Sequence, residues 1–362
     1  MEKKRILAVF LVTAAIVFLA LAIILNLPHV SKSPETCNTL KYNSESGINF
    51  VFLSDKKTAE KYSEFLISLN PFKENEDNLN FYYIDSSPEC EIYQNIALLC
   101  YSKEIIKTAA RCPNDIIIIP QARSSGIRSS SFMNFLSINT NLPITVLAHE
   151  TGHALANLAD EYSPAQLPSK STNCVSSCEK FDKKDGCFQG CSKDSYYRSI
   201  DKGIMKTLSS KTFGVFDSSV ISQTIAKRSA SITGKAISEE RNCEDENYYL
   251  IIGNYSSGKV EILEKSLEKG CVGSNGNGNF QFKLIMDDNS EYSENFNPEL
   301  IFTDSQSEGD EGITGEVFNN EGEFALKLPA VENAKTLEIY DSEDKRILEI
   351  NPDINSRPCK IE

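Results

Sequence analysis

The chain of 362 residues is acidic: its 51 Asp and Glu residues outnumber its 37 Lys and Arg residues and give a net charge of −14. Nucleic acids are bound by basic faces, so this balance argues against a nucleic-acid partner. The 11 cysteines indicate an oxidising compartment. Their odd number leaves at least one thiol unpaired or paired with another chain.

The N-terminus carries a long apolar segment. Lys3, Lys4 and Arg5 precede Ile6–Leu27, a run of 22 residues without a charged side chain. A helix of this length spans about 33 Å, which is enough to cross a bilayer, and the basic cluster would stay in the cytoplasm. We therefore predict a cytoplasmic tip and an uncleaved transmembrane anchor over 1–27, in a single-pass cell-membrane protein whose remainder is extracellular. A cleaved signal peptide is the alternative.

The chain changes character after this segment. Residues 28–46 are rich in Ser, Pro, Asn and Thr and are predicted to form a linker. From residue 47 onward, strand-like apolar runs alternate with segments of helical periodicity, which predicts an α/β layer around a buried sheet. The predicted strands cover residues 48–53, 80–85 and 116–119, and the predicted helices cover 58–70 and 97–110.

A Ser-rich segment, 124–131, leads into a strand predicted over Phe132–Ile138. Two positions in the sheet remain open for this strand. At the edge it would pair with an extended peptide substrate, whereas in the interior it would have neighbours on both sides.

The helix predicted to begin at Pro143 carries the motif HExxH over residues 149–153. His149 and His153 are four residues apart, slightly more than one helical turn, so both imidazoles leave the same face and can share one metal ion. Glu150 lies one step round from His149, where it could reach a metal-bound water without ligating the metal. This arrangement predicts Zn²⁺ as the cofactor and Glu150 as the general base of a zinc-dependent hydrolase.

A catalytic zinc site needs three protein ligands and a water. The remaining histidine, His29, lies next to the predicted anchor, so the third ligand should be a carboxylate, either Asp160 or Glu161. For either to return to the metal, the chain must reverse sharply after the helix. Asn157 tolerates the left-handed conformation that such a turn requires. Asp160 follows this turn by three residues and is our predicted ligand, with Glu161 as the alternative.

The run HETGHALANLADEY, residues 149–162, resembles the IgA-peptidase type of metallopeptidase, a metzincin-like group with an HExxH motif, a sharp turn and a DEY sequence. Cys112–Asp115, before an apolar strand, is similar as well. The chain departs from the better-known metzincins in having Asn157, rather than a glycine, at the turn. The resemblance covers roughly residues 48–215. It implies a metzincin-like α/β (α+β) zinc peptidase domain that hydrolyses peptide bonds in a protein or peptide substrate.

The resemblance also implies a methionine turn beneath the metal. Met205 lies where this turn would fall, although a methionine can equally be an ordinary core residue. Tyr162, Tyr196 and Tyr197 are the candidates for stabilising the oxyanion of the reaction.

Four cysteines follow the motif with regular spacing. Cys174 and Cys178 are separated by three residues, as are Cys187 and Cys191, within an insertion over 174–191. Two disulfides are the predicted outcome, because thiols oxidise outside the cell. A second, structural zinc site is the alternative.

The C-terminal part, 245–362, consists of short apolar runs separated by turns, which predicts an all-β sandwich behind a peptidase domain over 47–240. The sandwich contains no histidine and no evident catalytic cluster. Together these features predict a membrane-anchored extracellular zinc metalloendopeptidase. The alternative is a catalytically silent cell-surface binding or adhesion protein that retains a peptidase scaffold.

Overall fold

The computed structural model describes residues 35–181, 186–232, 242–304, 317–319, 321–331 and 333–352. The chain divides into two units, Met1–Glu35 and Thr36–Glu362, and every described helix and strand belongs to the second. The anchor predicted over Ile6–Leu27 lies outside the described residues. Within the described ranges, no helix is both long enough and apolar enough to cross a bilayer. This finding corrects the predicted single-pass membrane localisation, which we do not retain.

Strands dominate the fold. The described residues form nineteen strands in five sheets and only four α-helices, which corrects the predicted α/β (α+β) metzincin-like domain with a transmembrane helix and a separate sandwich. The elements in chain order are β1 (Cys37–Lys41), β2 (Ile48–Leu53), α1 (Lys56–Ser68), β3 (Leu79–Ile84), β4 (Glu91–Tyr93), β5 (Ala97–Leu99), α2 (Lys103–Ala109), β6 (Ile116–Gln121), β7 (Ser130–Phe132), β8 (Phe135–Asn139), α3 (Thr145–Ala156), β9 (Phe188–Cys191), β10 (Lys193–Arg198), α4 (Gly214–Ile232), β11 (Asn247–Ser256), β12 (Lys259–Lys269), β13 (Phe280–Met286), β14 (Glu291–Phe296), β15 (Leu300–Thr303), β16 (Val317–Asn319), β17 (Gly322–Pro329), β18 (Ala334–Tyr340) and β19 (Arg346–Ile350).

The segment predicted to be one helix over 97–110 shows why helical periodicity overestimated the helix content. Its first residues form β5, which pairs with β4 in a hairpin, and the disulfide Cys90–Cys100 joins the two flanks of this hairpin. The helix begins only after Ser102, whose hydroxyl accepts a hydrogen bond from the N–H of Ile105 at 3.3 Å. Pairing and capping by neighbouring residues therefore override the 3.6-residue pattern.

The largest sheet has eight strands in the order β1-β3-β2-β6-β8-β7-β15-β16. The four strands β3, β2, β6 and β8 are parallel, and the other pairs are antiparallel. β1 lies within the predicted linker, yet it pairs with β3 and is tied to the body of the protein by Cys37–Cys112.

Strand β6 explains how this sheet holds two cores together. Ile116 and Ile118 pack on one face, against the apolar sides of α1 and α3. Ile117 and Ile119 pack on the other face, against strands of the C-terminal part that include β11, β13 and β17. All four isoleucines are fully buried, as expected for a strand covered on both faces. The predicted sandwich is therefore a layer over the central sheet, not a separate body.

Strands β15 and β16 extend the central sheet beyond β7. Ile301 lies opposite Phe132, Phe302 opposite Ser131 and Thr303 opposite Ser130, in an antiparallel register. The strand predicted over 132–138 is broken at Met133, whose φ of 55° opens the turn between β7 and β8. β7 consequently has a neighbour on each side, and the interior position applies, not the edge.

Five disulfides confirm the prediction of an oxidised, disulfide-bonded protein. In the insertion the pairs are nested, with Cys174–Cys191 outside Cys178–Cys187. Because the four sulfurs are bonded in two disulfides, they are not ligands of a structural zinc. The eleventh cysteine, Cys359, lies outside the described residues. The remaining pairs are Cys37–Cys112, Cys90–Cys100 and Cys243–Cys271.

We expect Ile118→Ala to lower the free energy of unfolding by about 2–5 kcal/mol, because it leaves a cavity in a core that is packed on both faces of the sheet. The matched control is Leu263→Ala on β12, where the side chain is 49% exposed, and its cost should stay within about 0.5 kcal/mol. Chemical denaturation with the disulfides intact measures both. Equal losses of unfolding free energy in the two variants would contradict a core that packs on both faces of the sheet.

Candidate metal centre

Helix α3 carries the HExxH motif through the middle of the protein. Every residue of Thr145–Leu155 is buried. The helix is anchored at its first residue by the Thr145 hydroxyl, which donates to the carbonyl of Leu208. Gly152 allows a close approach of Met205 to the helix, because a Cβ there would lie 2.6 Å from Sδ of Met205. The histidines are therefore held on a rigid element.

The helix ends at Asn157, which adopts the left-handed conformation with φ 51° and ψ 35°, as the sequence predicted. Its N–H bonds back to the carbonyls of Gly152 and His153, and the N–H of Leu158 also donates to Gly152, at 3.2 Å. These bonds close the helix and reverse the chain. The reversal carries Asp160 back to the Nε2 edges of the two imidazoles.

Three ligand atoms meet at this point. Nε2 of His149 lies 3.2 Å from Nε2 of His153, and Oδ1 of Asp160 lies 3.2 Å from the first and 3.3 Å from the second. In a tetrahedral zinc site with bonds of about 2.0–2.1 Å, neighbouring ligand atoms stand about 3.3–3.4 Å apart. The buried group of His149, His153 and Asp160 could thus bind a metal ion.

The other ring nitrogens fix which atoms face the centre. Nδ1 of His149 lies 3.0 Å from the carbonyl oxygen of Ile204, and Nδ1 of His153 lies 2.7 Å from that of Leu158. A carbonyl oxygen can only accept, so each Nδ1 carries the proton and each neutral ring presents an Nε2 lone pair. Two lone pairs and a carboxylate at this separation repel each other unless a cation or a proton lies between them.

The electrostatics of these three residues follow from this crowding. Burial lowers the pKa of His149, but the hydrogen bond to Asp160 and the charge of that residue raise it to about 9. Burial raises the pKa of Asp160, yet the two imidazoles bring it below its usual range. Because the pKa of His149 is raised, binding of a metal ion by this group would release a proton.

Glu150 is fully buried beside the three ligands. Burial raises its pKa well above the usual value; the charge of His149 lowers it, and the charges of Asp304 and Asp160 raise it again. Neither oxygen of its carboxylate has a well-formed hydrogen bond within the described residues. A raised pKa makes its carboxylate form a stronger base than that of an exposed glutamate.

The alternative ligand, Glu161, points away from the cluster. Its carboxyl group lies beside Asp217 and below Gly203, where a Cβ would be 3.1 Å from Oε2, and burial and the charge of Asp217 raise its pKa well above the usual value. Its backbone N–H donates to the carbonyl of Met205 at 2.9 Å. Asp160, not Glu161, therefore joins the histidines.

Met205 lies in a tight turn beneath the motif helix. The N–H groups of Lys206 and Thr207 both donate to the carbonyl of Gly203, at 3.0 Å each. The side chain of Met205 is fully buried and rests against Gly152. This is the position that the resemblance implies for a methionine turn, and its role stays a prediction.

The three predicted tyrosines separate into two groups. Tyr162 is buried at the site, where its hydroxyl donates to the carbonyl of Thr303 at 3.2 Å and burial raises its pKa well above the usual value. Tyr196 and Tyr197 belong to β10. Tyr196 lies under the ammonium group of Lys193, and the backbone of Tyr197 pairs with Val175, so no contact in the described part of the chain brings either of them to the ligands.

The disulfide-linked insertion supports the loop that carries the third ligand. The side chain of Asn173 accepts from the N–H of Ala159 and donates to its carbonyl, at 2.8 and 2.9 Å. The hydroxyl of Ser192 donates to the carbonyl of Asp160 at 2.8 Å. The residues next to these two, Cys174 and Cys191, are joined by a disulfide. The insertion thus fixes the backbone on both sides of the ligand.

Residues from the C-terminal part also reach the site, which the sequence did not predict. The ring of Phe302 stacks on His153 with centroids 4.3 Å apart and planes inclined by 17°. Oδ1 of Asp304 accepts a hydrogen bond from the N–H of Ser129 at 2.9 Å, and burial raises the pKa of Asp304 to about 7 although the charge of His149 lowers it. The only feature of the sequence that could have indicated Phe302 and Asp304 was a short apolar run that ends at an aspartate.

Comparison with known proteins adds no further assignment. No model of a protein family matches the chain, and no curated protein matches it either. The interpretation of the site therefore depends on its geometry.

We expect Asp160→Asn to lower the zinc affinity by about a hundredfold or more. Loss of a residue that only hydrogen-bonds to a metal ligand typically costs about 10–100-fold, and loss of a ligand itself should cost at least as much. The matched control is Glu161→Gln, the adjacent buried carboxyl group, which should bind zinc as the wild type does. Competition with a chromophoric chelator measures both affinities. A greater loss in the Glu161 variant would overturn the ligand assignment.

The turn at Asn157 gives a second prediction. Asn157→Gly should retain zinc, because glycine adopts the left-handed conformation without strain. Asn157→Val should lose about 1–3 kcal/mol of stability and bind zinc more weakly, because a shifted turn displaces Asp160. Both variants lose the side-chain hydrogen bond to the carbonyl of Ser169, so the difference between them isolates the backbone effect. Calorimetric unfolding and zinc titration measure stability and affinity in both variants. Identical results for Asn157→Gly and Asn157→Val would contradict a role of the left-handed turn in positioning Asp160.

Proposed function

We propose that this protein is a zinc-dependent metallopeptidase. The observation that carries the proposal is the convergence of the Nε2 atoms of His149 and His153 and Oδ1 of Asp160, at separations of 3.2 and 3.3 Å, next to the buried carboxyl group of Glu150. The motif-level resemblance of residues 149–162 to IgA-peptidase-type metallopeptidases supports the same activity. The proposed substrate is a protein or peptide.

The donor set favours zinc. Two imidazoles and one carboxylate, with a fourth position left for water, are typical of catalytic zinc sites in hydrolases. The glutamate between the two histidines has its expected function in this chemistry, as a base next to the ligands. In the proposed mechanism, His149, His153 and Asp160 would hold zinc, which supplies a Lewis acid and acidifies a bound water.

The residues around the ligands would then perform the proton transfers. Glu150 accepts a proton from the attacking water and delivers it to the amine that leaves. Its burial and the charges of Asp304 and Asp160 raise its pKa well above the usual value. In this proposal the hydroxyl of Tyr162, which donates to a backbone carbonyl at this site, would donate to the carbonyl oxygen of a substrate as negative charge develops there.

One observation favours a second candidate, a catalytically silent protein in which the metal is structural. His149 and His153 are only 2% and 3% exposed, and Glu150 is fully buried, whereas structural zinc sites are closed and catalytic ones keep an open position. The two candidates differ in what they require of Glu150, which a structural site does not need.

The Glu150→Gln variant separates these candidates. It should bind zinc like the wild type but cleave denatured casein about 10²–10⁴-fold more slowly, because the general base is lost. Removal of zinc with a chelator should abolish cleavage in the wild type, and added Zn²⁺ should restore it. Cleavage that is unchanged in Glu150→Gln would refute the peptidase proposal and leave the structural candidate.

A further inference from the structure

The strand β15 lies where a peptide substrate would have to lie. It forms an antiparallel ladder with β7, and helix α3, which carries the histidines, packs against both strands. An extended peptide that adds to a sheet makes the same main-chain hydrogen bonds as a strand of the protein itself. Residues Ile301–Thr303 therefore use the hydrogen-bonding groups of β7 that a substrate would need.

The peptide bond between Thr303 and Asp304 has contacts that match the roles proposed for the site. Its carbonyl oxygen accepts the hydrogen bond of Tyr162, at 3.2 Å. Its N–H group, which belongs to Asp304, lies near the carboxyl group of Glu150. In the proposed reaction, Tyr162 would contact the carbonyl oxygen of the bond that is cleaved. Glu150 would contact the nitrogen of the same bond and give it a proton as it leaves.

Side chains hold this segment in place. Phe302 stacks on the ring of His153, and Asp304 is fixed to Ser129 by its carboxylate, at 2.9 Å, and more weakly by its N–H, at 3.4 Å. Thr303 and Asp304 are fully buried and Phe302 is 5% exposed. Because Asp304, the residue directly after the peptide bond, is held by Ser129, an amine formed at Asp304 would stay at the site. The segment thus fills the substrate position without being cleaved.

We propose that residues Leu300–Asp304 are an autoinhibitory segment that occupies the substrate position, so that cleavage by the wild type comes only from the small fraction of molecules in which β15 has separated from β7. This inference rests on the proposed function. It also defines the class of substrate, which is an unfolded or flexible polypeptide that enters as an extended strand and places an aromatic or large apolar side chain over His153.

The test opens the segment and measures access to the metal as well as activity. Phe302→Ala combined with Asp304→Ala removes the stacking on His153 and the hydrogen bond to Ser129. The probe is the zinc-loaded full chain mixed with the chelator 4-(2-pyridylazo)resorcinol. We expect the rates of zinc uptake and of zinc release to rise together by about tenfold or more, since both scale with the open population, and casein cleavage to rise with them.

Two further variants control the result. Phe324→Ala truncates another buried aromatic residue of the C-terminal part, in the core that does not contain the ligands, and should leave the zinc exchange rates unchanged. Ser130→Cys combined with Thr303→Cys places two cysteines at directly opposed positions. The resulting disulfide should keep zinc exchange and cleavage at or below the wild-type rates, and it provides a test even if the opened variant does not fold.

The outcomes are distinct. A rise in zinc release without a rise in uptake would identify damage to the ligands and overturn the inference, as would cleavage by the locked variant at the rate of the opened one. Faster exchange in both directions without any casein cleavage would support the closed segment and refute the peptidase function. Cleavage by the opened variant that is lost when Glu150→Gln is added would support both.

Discussion

The structure depends on holding three electron-pair donors against one another in a place without solvent. Two imidazole nitrogens and a carboxylate oxygen lie within 3.3 Å of each other, and they repel unless positive charge lies between them. Each donor is held by a group from another part of the chain. The carbonyl of Ile204 fixes one ring, that of Leu158 fixes the other, and Ser192 holds the backbone of Asp160. The helix, its turn, the disulfide-linked insertion and the turn at Met205 all contact the groups that converge here.

The sequence was sufficient for the part of this convergence that is local. His149 and His153 share a face because an α-helix has a fixed period, and Asp160 returns to them because Asn157 tolerates a positive φ. These relations span only a dozen residues and depend on backbone geometry that neighbouring residues determine. The same turn sets which of two adjacent side chains faces back, so Asp160 and not Glu161 lies against the histidines.

The non-local relations were not available in the same way. Helical periodicity suggested a helix where β5 instead pairs with β4, because a pairing partner and a disulfide override local preference. Ile117 and Ile119 indicated a strand that is buried on both faces, but not that the C-terminal strands would cover one of them. Phe302 and Asp304 lie about 150 residues from the motif and carry no pattern of their own. Only the register between β15 and β7 brings them to the metal site.

That register gives one segment two physical roles. β15 completes the central sheet, so it contributes to stability, and it also covers the ligands, so it controls access to them. Separation of β15 from β7 must therefore break main-chain hydrogen bonds and expose Phe302 and the ring of His153 to water, which is a local unfolding event with its own free energy. The same residues could form a closed, structural type of metal site while β15 is seated and an open one after it leaves. Burial of the histidines and a catalytic role for Glu150 are compatible on this view, because they belong to different states of one equilibrium.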